Sequence, residues 1–161
     1  MVGSPSHGLG LSEIEERRLT FEMFDFIAHL TKKLRLDNMA LATAMFFVHR
    51  FFKVYSMKNP NRNPRLLGVA AVMLSAKIRY CPIVLKKAIE AFFTVEKTKN
   101  PSCARAELAQ AREDYYRDQI EQLEMGILDV LGFELEVELP YKFIAEICKD
   151  LAEPAVRDAL H

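Results

Sequence analysis

Apolar residues recur along this chain at the three- and four-residue steps of a helix, except in two stretches that are apolar on nearly every face. Leu66 to Lys77, LLGVAAVMLSAK, carries no charge before its last residue, and Ala40 to Phe52, ALATAMFFVHRFF, is also apolar on nearly every face. A helix that is apolar all round belongs in the middle of a bundle rather than on its surface. Both stretches fall short of the roughly 20 apolar residues that cross a bilayer. The ammonium of Lys77 emerges where the first of them ends, within reach of a partner.

The remaining pattern is amphipathic and well punctuated. Leu19, Met23, Phe26, Ile27 and Leu30 share one helical face, with Glu15 and Glu16 near the start and Lys32 and Lys33 near the end, as the helix dipole favours. Ser12 and Glu15 form a capping box, so this first helix is expected from there to about Leu34. Asp37 is an N-cap for a second helix reaching about Met57. Lys58 to Asn63, KNPNRN, is loop chemistry, and Asn63-Pro64 opens a third helix to about Ile78. Cys81-Pro82 restarts the chain, and Ile83 to Val95 reads as a shorter helix. After the loop KTKNPS, 97–102, a long helix is expected from about Ala104 to Leu131. Its first half is polar, and its second half carries Ile120, Leu123, Ile127, Leu128 and Leu131 on one stripe. Gly132 suits its C-cap, 133–139 is an extended link, and Pro140 opens a final helix, YKFIAEICKDL. No stretch alternates as a strand does and no fixed-period repeat is present, so the fold class is all-α.

Composition narrows the function. The 161 residues suit one domain, or one domain and the start of another. Half the residues are hydrophobic and 27% are charged, with 22 basic residues against 22 acidic. Nucleic-acid binders draw affinity from basic excess, so this balance argues against one. Cys81, Cys103 and Cys148 are odd in number and widely spaced, as expected of reduced thiols in the cytosol or nucleus. The lead-in MVGSPSHGLG is rich in glycine, serine and proline and has no basic-then-apolar signal pattern. A soluble intracellular protein is expected.

No constellation for catalysis is visible. Gly8-x-Gly10 precedes no strand-to-helix turn, so it is no phosphate cradle. His7, His29, His49 and His161 share no metal-ligand spacing; His49, beside Arg50 in an apolar helix, reads as a hydrogen-bonded packing residue. Glu15-Glu16 and Glu113-Asp114 are helix-surface charges. Neither an enzyme nor a cofactor or metal is expected. Taken by position alone, Lys77 is a snorkelling lysine, Glu124 an ordinary helix charge, and Lys32-Lys33, Lys86-Lys87 and Lys97-x-Lys99 solvated faces. Phe46, Phe47, Phe51 and Phe52 read as core with one edge available to a partner.

Taken together, the segments resemble a family. LATAMFFVHRFFKVYSM resembles the second cyclin-box helix of transcription-type cyclins, LLGVAAVMLSAKI the third, and QIEQLEMGILDVLGFELEVELPYKFI the fifth helix and the link into a second box. The resemblance runs from about Glu13 to Leu151 and is nearest the K-, T- and L-type cyclins of transcriptional kinases. It implies a five-helix cyclin box with an N-terminal helix and one trailing C-terminal helix. The implied domains are a flexible segment over 1–11, the box over 12–136, and a linker and helix over 137–161 that starts a second box or caps the first. It further implies a nuclear protein, also open to the cytoplasm, that docks as a heterodimer on a cyclin-dependent protein kinase and promotes its active form. In the family, a third-helix lysine and a fifth-helix glutamate lie together and grip main chain beside the kinase C-helix; Lys77 and Glu124 match them. Ile78, Leu128, Phe133 and Leu135 match the apolar contacts around that pair. The alternative is a transcription-factor-like cyclin-fold module that binds DNA or scaffolds protein without activating a kinase. Two departures stand out. Arg79 and Tyr80 occupy positions where the family commonly has two acidic residues, which bears on kinase choice. The stretch LTFEMFDFI lacks the Met-Arg and Trp pattern of a substrate-docking groove.

Overall fold

A computed structural model describes residues 5–6, 10–58, 63–99 and 110–139. Five helices make it up: α1 (Glu13–Lys33), α2 (Asn38–Val54), α3 (Pro64–Ile78), α4 (Leu85–Lys99) and α5 (Gln110–Leu131). No strand occurs among the described residues. The start of the long fifth helix at Ala104 and the trailing helix after Pro140 fall outside them, as do Cys103 and Cys148. No described helix is long and apolar enough to cross a membrane.

The caps that set the boundaries are formed. Ser12 Oγ accepts the Glu15 amide while a Glu15 carboxylate oxygen accepts the Ser12 amide, which holds the Glu15 carboxyl below its usual range. Asp37 accepts the Ala40 amide at 2.7 Å, and Asn63 accepts that of Arg65 at 2.9 Å with Pro64 at the first helical position.

The third helix is the axis of the bundle and packs against all four others. Every residue from Leu66 to Ala76 is buried, as a helix apolar on all faces requires. Its neighbours contribute Phe26, Ile27 and Leu30 from α1, Phe47 and Phe51 from α2, Ile89 and Phe92 from α4, and Ile120 and Ile127 from α5. Phe46 and Phe52 stay half-buried at the edge of the aromatic cluster. The closest seam is at Gly68: a Cβ there would lie 3.1 Å from the Phe26 ring and 3.2 Å from the Met23 sulfur. One turn earlier on the same face of α3, the Arg65 guanidinium lies 5.2 Å from the Phe26 ring centroid. It also lies 3.0 Å from a Glu96 oxygen on α4, as an ion contact that lacks hydrogen-bond alignment.

Three helices end in the same turn. After α1, α3 and α5 the chain folds back so that Leu36, Cys81 and Phe133 amides donate to the Thr31, Ala76 and Leu128 carbonyls, while Arg35, Tyr80 and Gly132 amides donate to Lys32, Lys77 and Asp129. This is the Schellman turn, whose pivot must be left-handed. The pivots Arg35 (φ 58°), Tyr80 (φ 58°) and Gly132 (φ 59°) are left-handed, and only the last is a glycine.

Four details depart from expectation. The second helix stops at Val54, short of Met57, because Tyr55 turns to extended backbone; Met57 is buried beyond the helix and its amide donates to Ser6 Oγ at 3.2 Å. Ser6 is itself fully buried, so part of the glycine-rich lead-in lies against the bundle. The fourth helix begins at Leu85 and reaches Lys99, since nothing after Val95 breaks a helix until the residue before Pro101. His49 is not a hydrogen-bonded packing residue: it lies on the outer side of α2 with no hydrogen-bond partner among the described residues. Partial desolvation and the cations Lys53 and Arg50 lower its pKa.

Candidate functional site

The apolar run of α3 ends at Ala76, and Lys77 is its first exposed residue, in the last turn where the helix dipole favours a cation. On α5, Ile120, Leu123 and Ile127 are buried against the core, and Glu124 lies beside that stripe. The packing of α3 on α5 brings the two together. Lys77 Nζ donates to Glu124 Oε1 at 2.8 Å and to Oε2 at 2.7 Å. The glutamate side chain keeps 12% of its exposure and the lysine 47%, so the pair has a shielded side and an open one. Charge-assisted bonds of this length are stronger than neutral ones. With the lysine half in water, the pair contributes only about 0–1 kcal/mol to folding.

The four apolar residues matched by the resemblance attach to this pair in sequence. Ile78 follows Lys77 and is half-buried, and Leu128 lies one turn beyond Glu124 and is half-buried. The Phe133 amide is bonded to the Leu128 carbonyl at 3.1 Å, and the ring is 62% exposed. Leu135 packs on the core along the extended link. Phe133 is thus the free member, and the other three are anchored.

Two features escaped sequence reasoning. The Arg79 guanidinium donates to Asp37 Oδ2 at 2.9 Å, tying the end of α3 to the start of α2. The Ala40 amide first, and Arg79 after it, hold the Asp37 carboxyl below its ordinary value. Asp37 was recognisable as a cap and Arg79 as a departure, but nothing local joins them. Tyr80 is 95% exposed and left-handed, with its amide bonded to the Lys77 carbonyl. Val84 and Met125 are also exposed, on the chain leaving α3 and on α5. Of these, Tyr80 stands three residues beyond Lys77 and Met125 directly follows Glu124 along the chain. Among the described residues no group of three or more His, Cys, Asp or Glu is placed to hold a metal ion.

A helical domain with a buried third helix, whose terminal lysine meets a fifth-helix glutamate, has the arrangement implied for a cyclin box. The sequence family described as cyclin, N-terminal domain, matches residues 10–136. The chain belongs to the cyclin family.

Within it, the similar relatives carry T- and K-type names. Cyclin-T1-2 of Arabidopsis thaliana is 30% identical over 149 residues, covering 91% of this chain and 31% of its own length. Cyclin-K of Homo sapiens is 29% identical over 152 residues, covering 94% of this chain and 24% of its own. Cyclin-T1 of Bos taurus is 26% identical over 162 residues, covering 95% of this chain and 21% of its own. The chain therefore spans about a fifth to a third of the length of these relatives.

Proposed function

We propose that this chain is a cyclin box of a nuclear regulatory subunit that binds and activates a cyclin-dependent kinase acting in transcription. The observation that carries the reading is the two-pronged Lys77–Glu124 pair, set at a rim with Ile78, Leu128, Phe133 and Leu135 close along the chain. Each member of the pair has bonding capacity left over. The ammonium has a third donor and each carboxylate oxygen a second lone pair, so both can reach main-chain groups of a partner. A partner that covers the open side of Lys77 removes water from the pair and strengthens every bond it makes there.

Activation is a population shift. A kinase C-helix is mobile alone, and a partner that prefers its inward position moves the equilibrium by the difference in affinity. The inward helix supplies the glutamate that pairs with the ATP-positioning lysine of the kinase. The cyclin performs no chemistry in this scheme.

The test is co-expression of the chain with a panel of transcriptional cyclin-dependent kinase catalytic subunits, followed by affinity measurement and phosphorylation of a peptide substrate. Lys77→Ala with Glu124→Ala should cost about 2–5 kcal/mol of binding, as for desolvated charge pairs at interfaces, and leave helical content and melting almost unchanged. Normal binding and activation by the double variant would overturn the proposed site. Duplex DNA binding with a steep salt dependence, and no kinase activation, would favour the scaffold alternative.

A further inference from the structure

Where α1 meets α4, a cleft of about 1010 Å³ opens, and its walls include Lys32, Lys33, Arg35, Lys87, His29 and Asp25. In the sequence these cations stand in separate clusters; folding places Lys87 from the start of α4 in the same cleft as the three at the end of α1. Asp25 is the one acid on its walls among the described residues, and it lies 3.3 Å from His29. Lys32, Lys33, Arg35 and Lys87 have no carboxylate partner among the described residues.

Two of these cations sit where the fold does not favour them. Lys87 is in the first turn of α4, the end of a helix that disfavours positive charge. Arg35 is the left-handed pivot after α1, φ 58°, a place that a glycine fills without strain. An anion in the cleft would offset both penalties, and one that carries two negative charges and three acceptor oxygens suits a set of lysines and an arginine.

We propose that this cleft binds a phosphorylated segment of a protein partner. Nucleic acid fits less well. The chain has no net charge to attract a polyanion at long range, and the described residues of the cleft walls include no Phe, Tyr or Trp on which bases could stack. The cleft shares no residue with the Lys77–Glu124 rim, so this inference stands apart from the kinase-docking reading.

Fluorescence anisotropy of the full chain with a short peptide bearing two phosphoserines tests it. The controls are the same peptide unphosphorylated and with glutamate at both positions. The phosphopeptide should bind at least about tenfold more tightly than either. Arg35→Gly and Lys87→Gln should each remove most of that margin, with Arg35→Gly melting at or above the parent temperature, and Lys77→Ala should bind the peptide normally. Equal binding of the three peptides would overturn the proposal. So would unchanged binding by Arg35→Gly and Lys87→Gln, or tighter binding of a single-stranded RNA of the same charge.

Discussion

The ends of α1 and α3 are built on one backbone plan and treat charge in opposite ways. Each closes in a Schellman turn around a left-handed residue that is not glycine, Arg35 in one and Tyr80 in the other. At the end of α3 both cations are matched, Lys77 by Glu124 and Arg79 by Asp37. At the end of α1, Lys32, Lys33 and Arg35 have no carboxylate among the described residues. A matched pair is already oriented, so a partner gains direction from it without having to order it. An unmatched set gains most from a ligand that brings the missing charge. The difference separates a surface suited to aligning a folded partner from one suited to capturing an anion.

The largest effect that would sharpen this contrast is on partner binding. Exchanging the pair, Lys77→Glu with Glu124→Lys, should retain the salt bridge and the melting temperature yet lose about 2–5 kcal/mol of kinase affinity, because the partner's main-chain groups would meet reversed charges. Isothermal titration beside thermal melting reads the two separately. Unchanged affinity would make the pair merely a link between α3 and α5.

A smaller effect is expected at the Arg79–Asp37 tie. Asp37→Ala removes a helix cap and an ion-pair partner together, and should destabilise the fold by about 1–2 kcal/mol in chemical denaturation. Asp37→Asn keeps the cap and should cost less. The pH dependence has a definite sign. The folded pKa of Asp37 lies below its ordinary 3.8, so its charge stabilises the fold above that value and the benefit disappears as pH falls through the lowered one. The parent and Asp37→Asn should therefore converge in stability in acid; a gap that persists there would place the effect elsewhere.

Tyr80→Gly tests the pivot itself. Glycine relieves the left-handed backbone, so the variant should be up to about 1 kcal/mol more stable, provided the added freedom of the unfolded chain does not offset the gain. It should also bind a kinase less well, because a 95% exposed ring beside the rim is lost. Kinase binding that is unchanged or tighter in this variant would remove Tyr80 from the docking surface. The weakest effect expected is that of salt on folding: the half-exposed Lys77–Glu124 pair should lose only tenths of a kcal/mol between low and high ionic strength.

Much of the fold was legible because local chemistry coincided with global packing. The third helix was readable end to end, since Asn63-Pro64 marks its start and its charge-free run ends at Lys77. The fifth helix ended where Gly132 predicted, whereas Tyr80 and Arg35 hid the same turn behind side chains that seldom adopt it. The second helix was overextended because Met57 continues the apolar pattern although it is buried from outside the helix. The site was legible only in part. Lys77 and Glu124 stand 47 residues apart and each reads alone as a surface charge, so only the family resemblance joined them. No resemblance joined Arg79 to Asp37, 42 residues away, or Lys87 to the basic end of α1. Contacts of that kind arise from helix packing, to which single-sequence periodicity is blind.

The seam at Gly68 has a consequence for the far end of its helix. Lys77 lies nine residues on, about 13 Å along the axis. A bulkier residue at this fulcrum would pry the third helix from the first, and a tilt of about 10° would carry the tip roughly 2 Å, enough to part an ammonium from its carboxylate. A swap deep in the interior would then register first as misaim at the surface, with the bundle still folded.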